Sequence, residues 1–312
     1  MDKVILIYRI SYSSVLFIRR GSLNAVTCLR YLSKDILFSG DQDGFVYVWN
    51  METKRQTAKI AAHPGYSVLW IDFINDHIIT QARDGVVCFW DKQWTKTGNT
   101  YVIKCGDLGY CASTLVDDLV AVPCDTVSTV EIFDVKSKQC IGQLQPDQSQ
   151  KKYGMCMTMR AVEGQSQILI GYENGNISLW DIRSFKQIDK TNMHTESVMC
   201  LDYSHRSNLG ISGSADDKLI SWEFDDNTNI VKKIEVTTTN PGFNSIIIRE
   251  DQKIFAAGGW DSKIRIFSPQ KLKPLAILSY HKDSIQCVSF STDNTLACGS
   301  KDGHISLWDI YK

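Results

Sequence analysis

By residue type, His63, Thr80 and Asp84 could form a hydrolytic triad, and so could His194, Ser212 and Asp216. A histidine that carries a proton, a hydroxyl that attacks and an acid that orients the imidazole are the parts such chemistry needs. Each set, however, continues to a tryptophan ten residues beyond its hydroxyl, Trp90 and Trp222. A third set, His281, Asp302 and Trp308, repeats the arrangement with Cys298 at the hydroxyl position. A nucleophile is needed once, at an open pocket; a grouping that recurs with a tryptophan reads as a buried chain of donors and acceptors inside a repeated unit. Two chains are expected to be complete, His63/Thr80/Asp84/Trp90 and His194/Ser212/Asp216/Trp222. The sequence holds no GxSxG elbow, no GxxxxGK loop and no HExxH pair. The expectation is a non-enzymatic protein with no catalytic, cofactor-binding or metal-ligating residues.

The units that would hold these residues recur seven times. Each has a small-residue stretch, a polar turn, alternating apolar residues and a closing aromatic: Trp49, Trp90, Phe133, Trp180, Trp222, Phe267 and Trp308. Their spacings of 41, 43, 47, 42, 45 and 41 residues match the WD-repeat period and exclude helical and leucine-rich repeats. Asp43-Gly44, Asp84-Gly85, Asn174-Gly175 and Asp302-Gly303 lie between β-rich runs and predict two-residue hairpin turns. Apolar residues one and three positions before the aromatic, such as Val46/Val48 and Ile305/Leu307, put one sheet face inward. The strands after His63, His194 and His281 are expected to be innermost. The fold predicted is an all-β, seven-bladed WD40 β-propeller.

After Trp308 too few residues follow for the fourth strand that other repeats have, so the stretch 15–20, VLFIRR, is expected to complete the last blade and close the ring. The propeller is assigned to 15–312 and residues 1–14 to an extension. Val4–Tyr8 is apolar, but Arg9 interrupts it and it is too short to span a bilayer, so a soluble protein is expected. A net charge of -1, from 34 basic and 35 acidic residues, leaves no footprint for direct nucleic-acid binding. The ten cysteines show no CxxC spacing, and reduced thiols used as small apolar residues point to an intracellular protein, nuclear or cytoplasmic.

Several stretches resemble one narrower family. Asn240-Pro241-Gly242, Ile248-Arg249, Gly259-Trp260-Asp261, Ile264–Phe267 and the closing LAILSYHKDSIQCVSFSTDNTLACGSKDGHISLWDIY resemble the guanine-nucleotide-binding-protein β-subunit-like protein 1 family, which includes the fungal ASTRA-associated protein 1. The resemblance runs from about Val15 onward and implies a scaffold subunit. It implies partners among co-chaperone subunits and the phosphatidylinositol-3-kinase-related kinases they mature, with the chain monomeric inside a larger assembly. Two other binding roles are open. A cullin-ligase substrate receptor would use the WDxR run ending at Arg183, and a G-protein β-type subunit would need an N-terminal heptad helix that residues 1–20 do not show.

For a partner, the rim of the narrow face is the expected site. The residue before each turn acid should present itself there: Gln42, Arg83, Glu173, Ala215, Trp260 and Lys301. Trp260 is the foremost candidate, because tryptophan and arginine are enriched at interface hot spots. Arg83, Tyr172, Glu173, Lys301 and Tyr66 are expected to extend the same patch.

Overall fold

The computed structural model describes residues 16–18, 24–75, 77–91, 101–104, 109–124, 126–147 and 153–310. They form seven four-stranded antiparallel sheets, one for each repeat. Blades 1 to 6 span 26–61, 68–104, 114–144, 156–192, 198–237 and 243–279. Blade 7 takes its inner three strands from 285–309 and its outermost from Leu16–Ile18, which pairs with Ile305, Ser306 and Leu307. The expected closure by an early strand is therefore present; residues 1–15 lie outside the described part.

The core is a ring of seams. Seven apolar clusters fill the seven gaps between neighbouring blades. The closing seam joins Val26, Leu37 and Trp49 of blade 1 to Cys287, Ala297 and Leu307 of blade 7. Both faces of each third strand are consequently covered, and the strand does not follow the simple in-out alternation expected of it: Tyr47, Cys88, Ser178 and Ser306 are as buried as their neighbours. Close approach between blades requires glycine in the second strand. A Cβ on Gly40 would stand 2.7 Å from both Cys28 Sγ and Val68 Cβ, and one on Gly299 would meet Val26 and Cys287 in the same way. Cys28 and Cys287 thus fill equivalent seams as small apolar groups. Burial pushes the Cys28 thiol up to about 12, which holds it in the uncharged form.

The hairpin turns differ from the two-residue type. In blade 1 the second strand ends at Asp41 and the third begins at Phe45. The Gly44 N–H donates to Asp41 O at 3.3 Å, and positive φ falls on the glycine, at 87° in Gly44, 70° in Gly85, 82° in Gly175 and 78° in Gly303. This is a three-residue loop closed by a left-handed residue. The extra residue, ahead of the acid, is pushed outward.

Candidate protein-interaction site

In six blades that outward residue is anchored in one way. The backbone N–H groups of Gln42, Arg83, Glu173, Ala215, Trp260 and Lys301 donate to Ala25, Ser67, Met155, Ser197, Gly242 and Ser284 O at 2.9 to 3.0 Å. Each bond ties the turn to the loop that enters the blade's own inner strand. All six side chains therefore start from equivalent points around one mouth of the central channel.

Trp260 is 43% exposed. One face of its indole lies on Gly242, where an added Cβ would come within 2.1 Å of the ring, and its Nε1 donates to Asn244 Oδ1 at 2.7 Å. The Arg83 guanidinium sits 4.1 Å from the centre of the Tyr110 ring, a cation–π contact. Tyr66 and Lys301 are exposed, as is Glu173, whose Oε2 accepts the Met155 N–H at 3.1 Å. Tyr172 is a correction. It is the last residue of its strand rather than part of the turn, has no exposed surface, and packs edge-on to Tyr153 at 4.8 Å. Burial raises its phenol well above the ordinary value.

Three surface residues escaped the sequence reading. Tyr110, Val127 and Met155 are 57, 57 and 41% exposed and lie in the entry and turn loops of blades 3 and 4, on the same face as Tyr66 and Trp260. Large exposed apolar side chains on a single face mark interaction surface. Their loops carry no repeat pattern, so the only available signal was an apolar residue among turn residues.

Beneath this face run the histidine chains. In blade 2, His63 Nδ1 meets Asp84 at 2.9 Å, its Nε2 meets Thr80 Oγ1 at 2.9 Å, and Trp90 Nε1 donates to the same hydroxyl at 2.8 Å. The chain in blade 5 stops short: His194 reaches Asp216 at 3.2 Å and Ser212 at 2.9 Å, but the buried Trp222 Nε1 has no partner. Gly210 is the physical reason. Across the strand from Trp222, where the other Trp-bearing blades have leucine or isoleucine, its missing side chain lets the indole settle onto the backbone, and Tyr203 stacks on it at 5.7 Å.

Blade 7 solves its missing hydroxyl differently. Ser306, paired directly with Cys298 on the next strand, bonds His281 Nε2 at 2.8 Å and accepts from Trp308 Nε1 at 2.8 Å, while His281 Nδ1 meets Asp302 at 3.2 Å. Ser178 likewise accepts from Trp180 in blade 4 at 2.7 Å. Blade 6, without a histidine, holds Asp261 by two bonds from Arg265, at 2.9 and 2.6 Å. These polar groups tie the turns to their blades. His63, His194 and His281 are at most 5% exposed.

The channel encloses a cavity of about 510 Å³, with Gln42, Arg83, Tyr110 and Lys301 at this mouth. Arg183 is exposed and sits towards the other face, where Asp181 Oδ1 accepts its N–H at 2.7 Å. The Ser184 N–H donates to the same oxygen at 3.2 Å, and this turn recurs at Asn50 with Thr53 and at Asp134 with Ser137, so the Trp-Asp part of WDxR serves turn geometry and only the arginine side chain bears on docking.

The WD domain, G-beta repeat family model matches residues 13–50, 185–223 and 272–309. The guanine nucleotide-binding protein subunit beta-like protein 1 of Mus musculus is 33% identical over 312 residues, covering 95% of each chain. ASTRA-associated protein 1 is 25% identical in Schizosaccharomyces japonicus and 26% in Schizosaccharomyces pombe, in each case across 95% of this chain and 98% of the relative. Among solved structures, the β-propeller domain of Cps50 (Swd1) from Myceliophteria thermophila superposes with a TM-score of 0.79 at 14% identity, covering 93% of this chain and 98% of that one. That last likeness concerns the fold.

Proposed function

The chain belongs to the WD-repeat family of guanine nucleotide-binding protein subunit beta-like protein 1, and we propose that it is a docking subunit that supports assembly and stability of phosphatidylinositol-3-kinase-related kinases within a co-chaperone or ASTRA-type complex. A protein-interaction scaffold is what a WD-repeat propeller related end to end to ASTRA-associated protein 1 supports. The kinase-directed role is an inference from that kinship.

One observation carries the choice of face. Trp260, Tyr66, Tyr110, Val127 and Met155 are all exposed at one end of the ring, and the turns that carry Trp260, Tyr66, Val127 and Met155 are held by backbone hydrogen bonds. A preorganised apolar surface loses little conformational entropy on binding. Its residue types are those that anchor interfaces. The opposite end exposes Leu32 and is tied by inter-blade ion pairs, Arg30 with Asp72 at 2.9 Å and Arg160 with Asp202 at 2.8 Å.

Affinity purification of wild type beside Trp260→Ala, with mass spectrometry of the retained proteins, tests the reading. Co-chaperone subunits and large kinases recovered with wild type and lost with Trp260→Ala are the expected result. Recovery of a cullin adaptor that disappears in Arg183→Ala would replace this function with a ligase receptor. Identical recoveries from wild type and Trp260→Ala would refute the choice of face.

A further inference from the structure

The innermost strands bulge by one residue at the same place in six blades, and the extra residue lines the channel: Thr27, Leu69, Met157, Met199, Asn244 and Gln286. Ala112 lines it at the corresponding place in blade 3. The resulting ring is two-sided. Blades 2 to 5 contribute Leu69, Ala112, Met157 and Met199, all apolar, whereas blades 6, 7 and 1 contribute Asn244, Gln286 and Thr27. On the polar side the donors are already engaged. Thr27 Oγ1 donates to Val68 O at 2.5 Å, Asn244 Nδ2 to Ile285 O at 2.8 Å and Gln286 Nε2 to Ser284 Oγ at 2.7 Å, while Asn244 Oδ1 accepts from Trp260. The residue two places before each ring member is alanine, serine or glycine in five blades, but Tyr110 in blade 3 and Met155 in blade 4. Both are exposed, so the apolar surface of the rim continues down into the channel on one side. Charged lining residues lie only above and below the ring among the described residues. The mouth holds Arg83 and Lys301 together with the exposed Asp43, Glu173 and Asp283 and favours neither sign; Arg30 with Asp72 and Arg160 with Asp202 are paired towards the far end.

We infer that the apolar half of this ring is the anchor pocket of the docking face: a segment of the partner protein inserts one uncharged apolar side chain, leucine, methionine or phenylalanine, over Ala112 between Leu69 and Met157. The inference rests on the docking reading above and adds the chemistry of what enters the channel. Electrostatics selects a neutral anchor, because a charged side chain would leave water for a level of the channel that offers it no counter-charge. A polar anchor would lose its water and find the donors opposite already taken. An apolar one gains the area it covers. Alanine, the smallest member of the ring, leaves the room, and unbranched methionines on the same side adapt to the shape that fills it. The anchor belongs to a protein segment, because the residues flanking it would lie on Tyr110, Met155 and Tyr66, which continue the pocket outward. A second copy of this chain presents the same hollow mouth, and two hollows placed face to face fill neither.

Full-length protein made with photo-methionine in place of methionine carries crosslinkers at Met155, Met157 and Met199 without a change of shape. The partner complex is captured from cells, irradiated and digested, and mass spectrometry identifies the linked segment. That segment is made as a fluorescein-labelled peptide, with a second version in which its apolar residue is serine. Both are titrated against purified wild type, and the first also against Ala112→Met and Met157→Gln, which place in the ring side chains that it already holds in other blades. The expected segment contains leucine, methionine or phenylalanine. Affinity should fall at least about tenfold for the serine peptide and for Ala112→Met, less for Met157→Gln, and should change little in high salt, with the melting temperatures of both variants unchanged. A linked segment without such a residue, links only to a second copy of this chain, no link from any of the three methionines, or undiminished affinity of the serine peptide for wild type overturns the inference. The serine peptide decides the matter even where a variant folds poorly. If Trp260→Ala loses its partner while the serine peptide binds as well as the original, the docking face stands and only the anchor pocket is refuted. If Trp260→Ala captures normally and the methionines yield no link, both are refuted.

Discussion

Replacing Ser306 by alanine should cost more than replacing Ser212 by alanine, although both hydroxyls are fully buried and both serve a histidine. In blade 7 the hydroxyl is shared: it bonds His281 Nε2 at 2.8 Å and accepts from Trp308 Nε1 at 2.8 Å. Its loss strands one buried acceptor and one buried donor. At about 1 to 3 kcal/mol for each unsatisfied group, the expected cost is about 2 to 6 kcal/mol. In blade 5 Ser212 serves only His194 Nε2, at 2.9 Å, because Trp222 Nε1 has no partner before the substitution is made. Ser212→Ala should therefore cost about 1 to 3 kcal/mol. Urea unfolding followed by tryptophan fluorescence, with calorimetry as a second probe, measures both, and a difference of about 2 kcal/mol should separate the two melting temperatures by several degrees. Equal losses, or a larger loss from Ser212→Ala, would refute the idea that Gly210 draws the Trp222 indole out of its chain.

Trp260→Ala should abolish partner capture while changing stability by no more than about 1 kcal/mol, whereas Trp222→Ala should cost about 3 to 5 kcal/mol; equal losses would place Trp260 in the core. Deleting residues 1–20 removes the strand paired with Ile305–Leu307 and opens a sheet edge, so a lower melting temperature and self-association in light scattering are expected. Burial holds the His281 pKa below 6.5. The unfolded chain then binds the extra proton, and stability should decline as pH falls below about 6.5. Burial alone would raise the Asp302 carboxyl, but the Lys282 N–H and His281 outweigh it and hold it below 3.8, so a further decline should follow below that pH. Denaturation midpoints that stay flat from pH 7.5 to about 5 would contradict the first of these. In native protein, iodoacetamide should modify the exposed Cys140 well before the buried Cys28, Cys111, Cys200, Cys287 and Cys298, as peptide mapping would show.

Legibility in the sequence followed periodicity. The spacing of the aromatics gave seven blades and the need for a closing strand, because each repeat must satisfy the same backbone ladder. The histidine chains were legible where all members fell in one repeated order. Ser306 was missed because a hydroxyl can occupy either member of a cross-strand pair, and Ser178 two residues before its tryptophan was the clue. Tyr172 was misplaced for a local reason: it precedes Glu173, yet only the latter is in the outward turn. The tilt of Trp222 depends on which residue lies across the strand, and that pairing is invisible until register is known. Tyr110, Val127 and Met155 sit in loops without a repeat, so nothing periodic pointed to them.

The six outward residues of the turns are each fixed to their blade by a backbone N–H bond, which any of the residue types found there can make. Gln42, Arg83, Glu173, Ala215, Trp260 and Lys301 are thus letters written on a frame that is indifferent to spelling. A chain of this kind can exchange one recognition vocabulary for another through a handful of substitutions without refolding. Its seams and histidine chains, where side chains are fixed by their neighbours, lack that freedom.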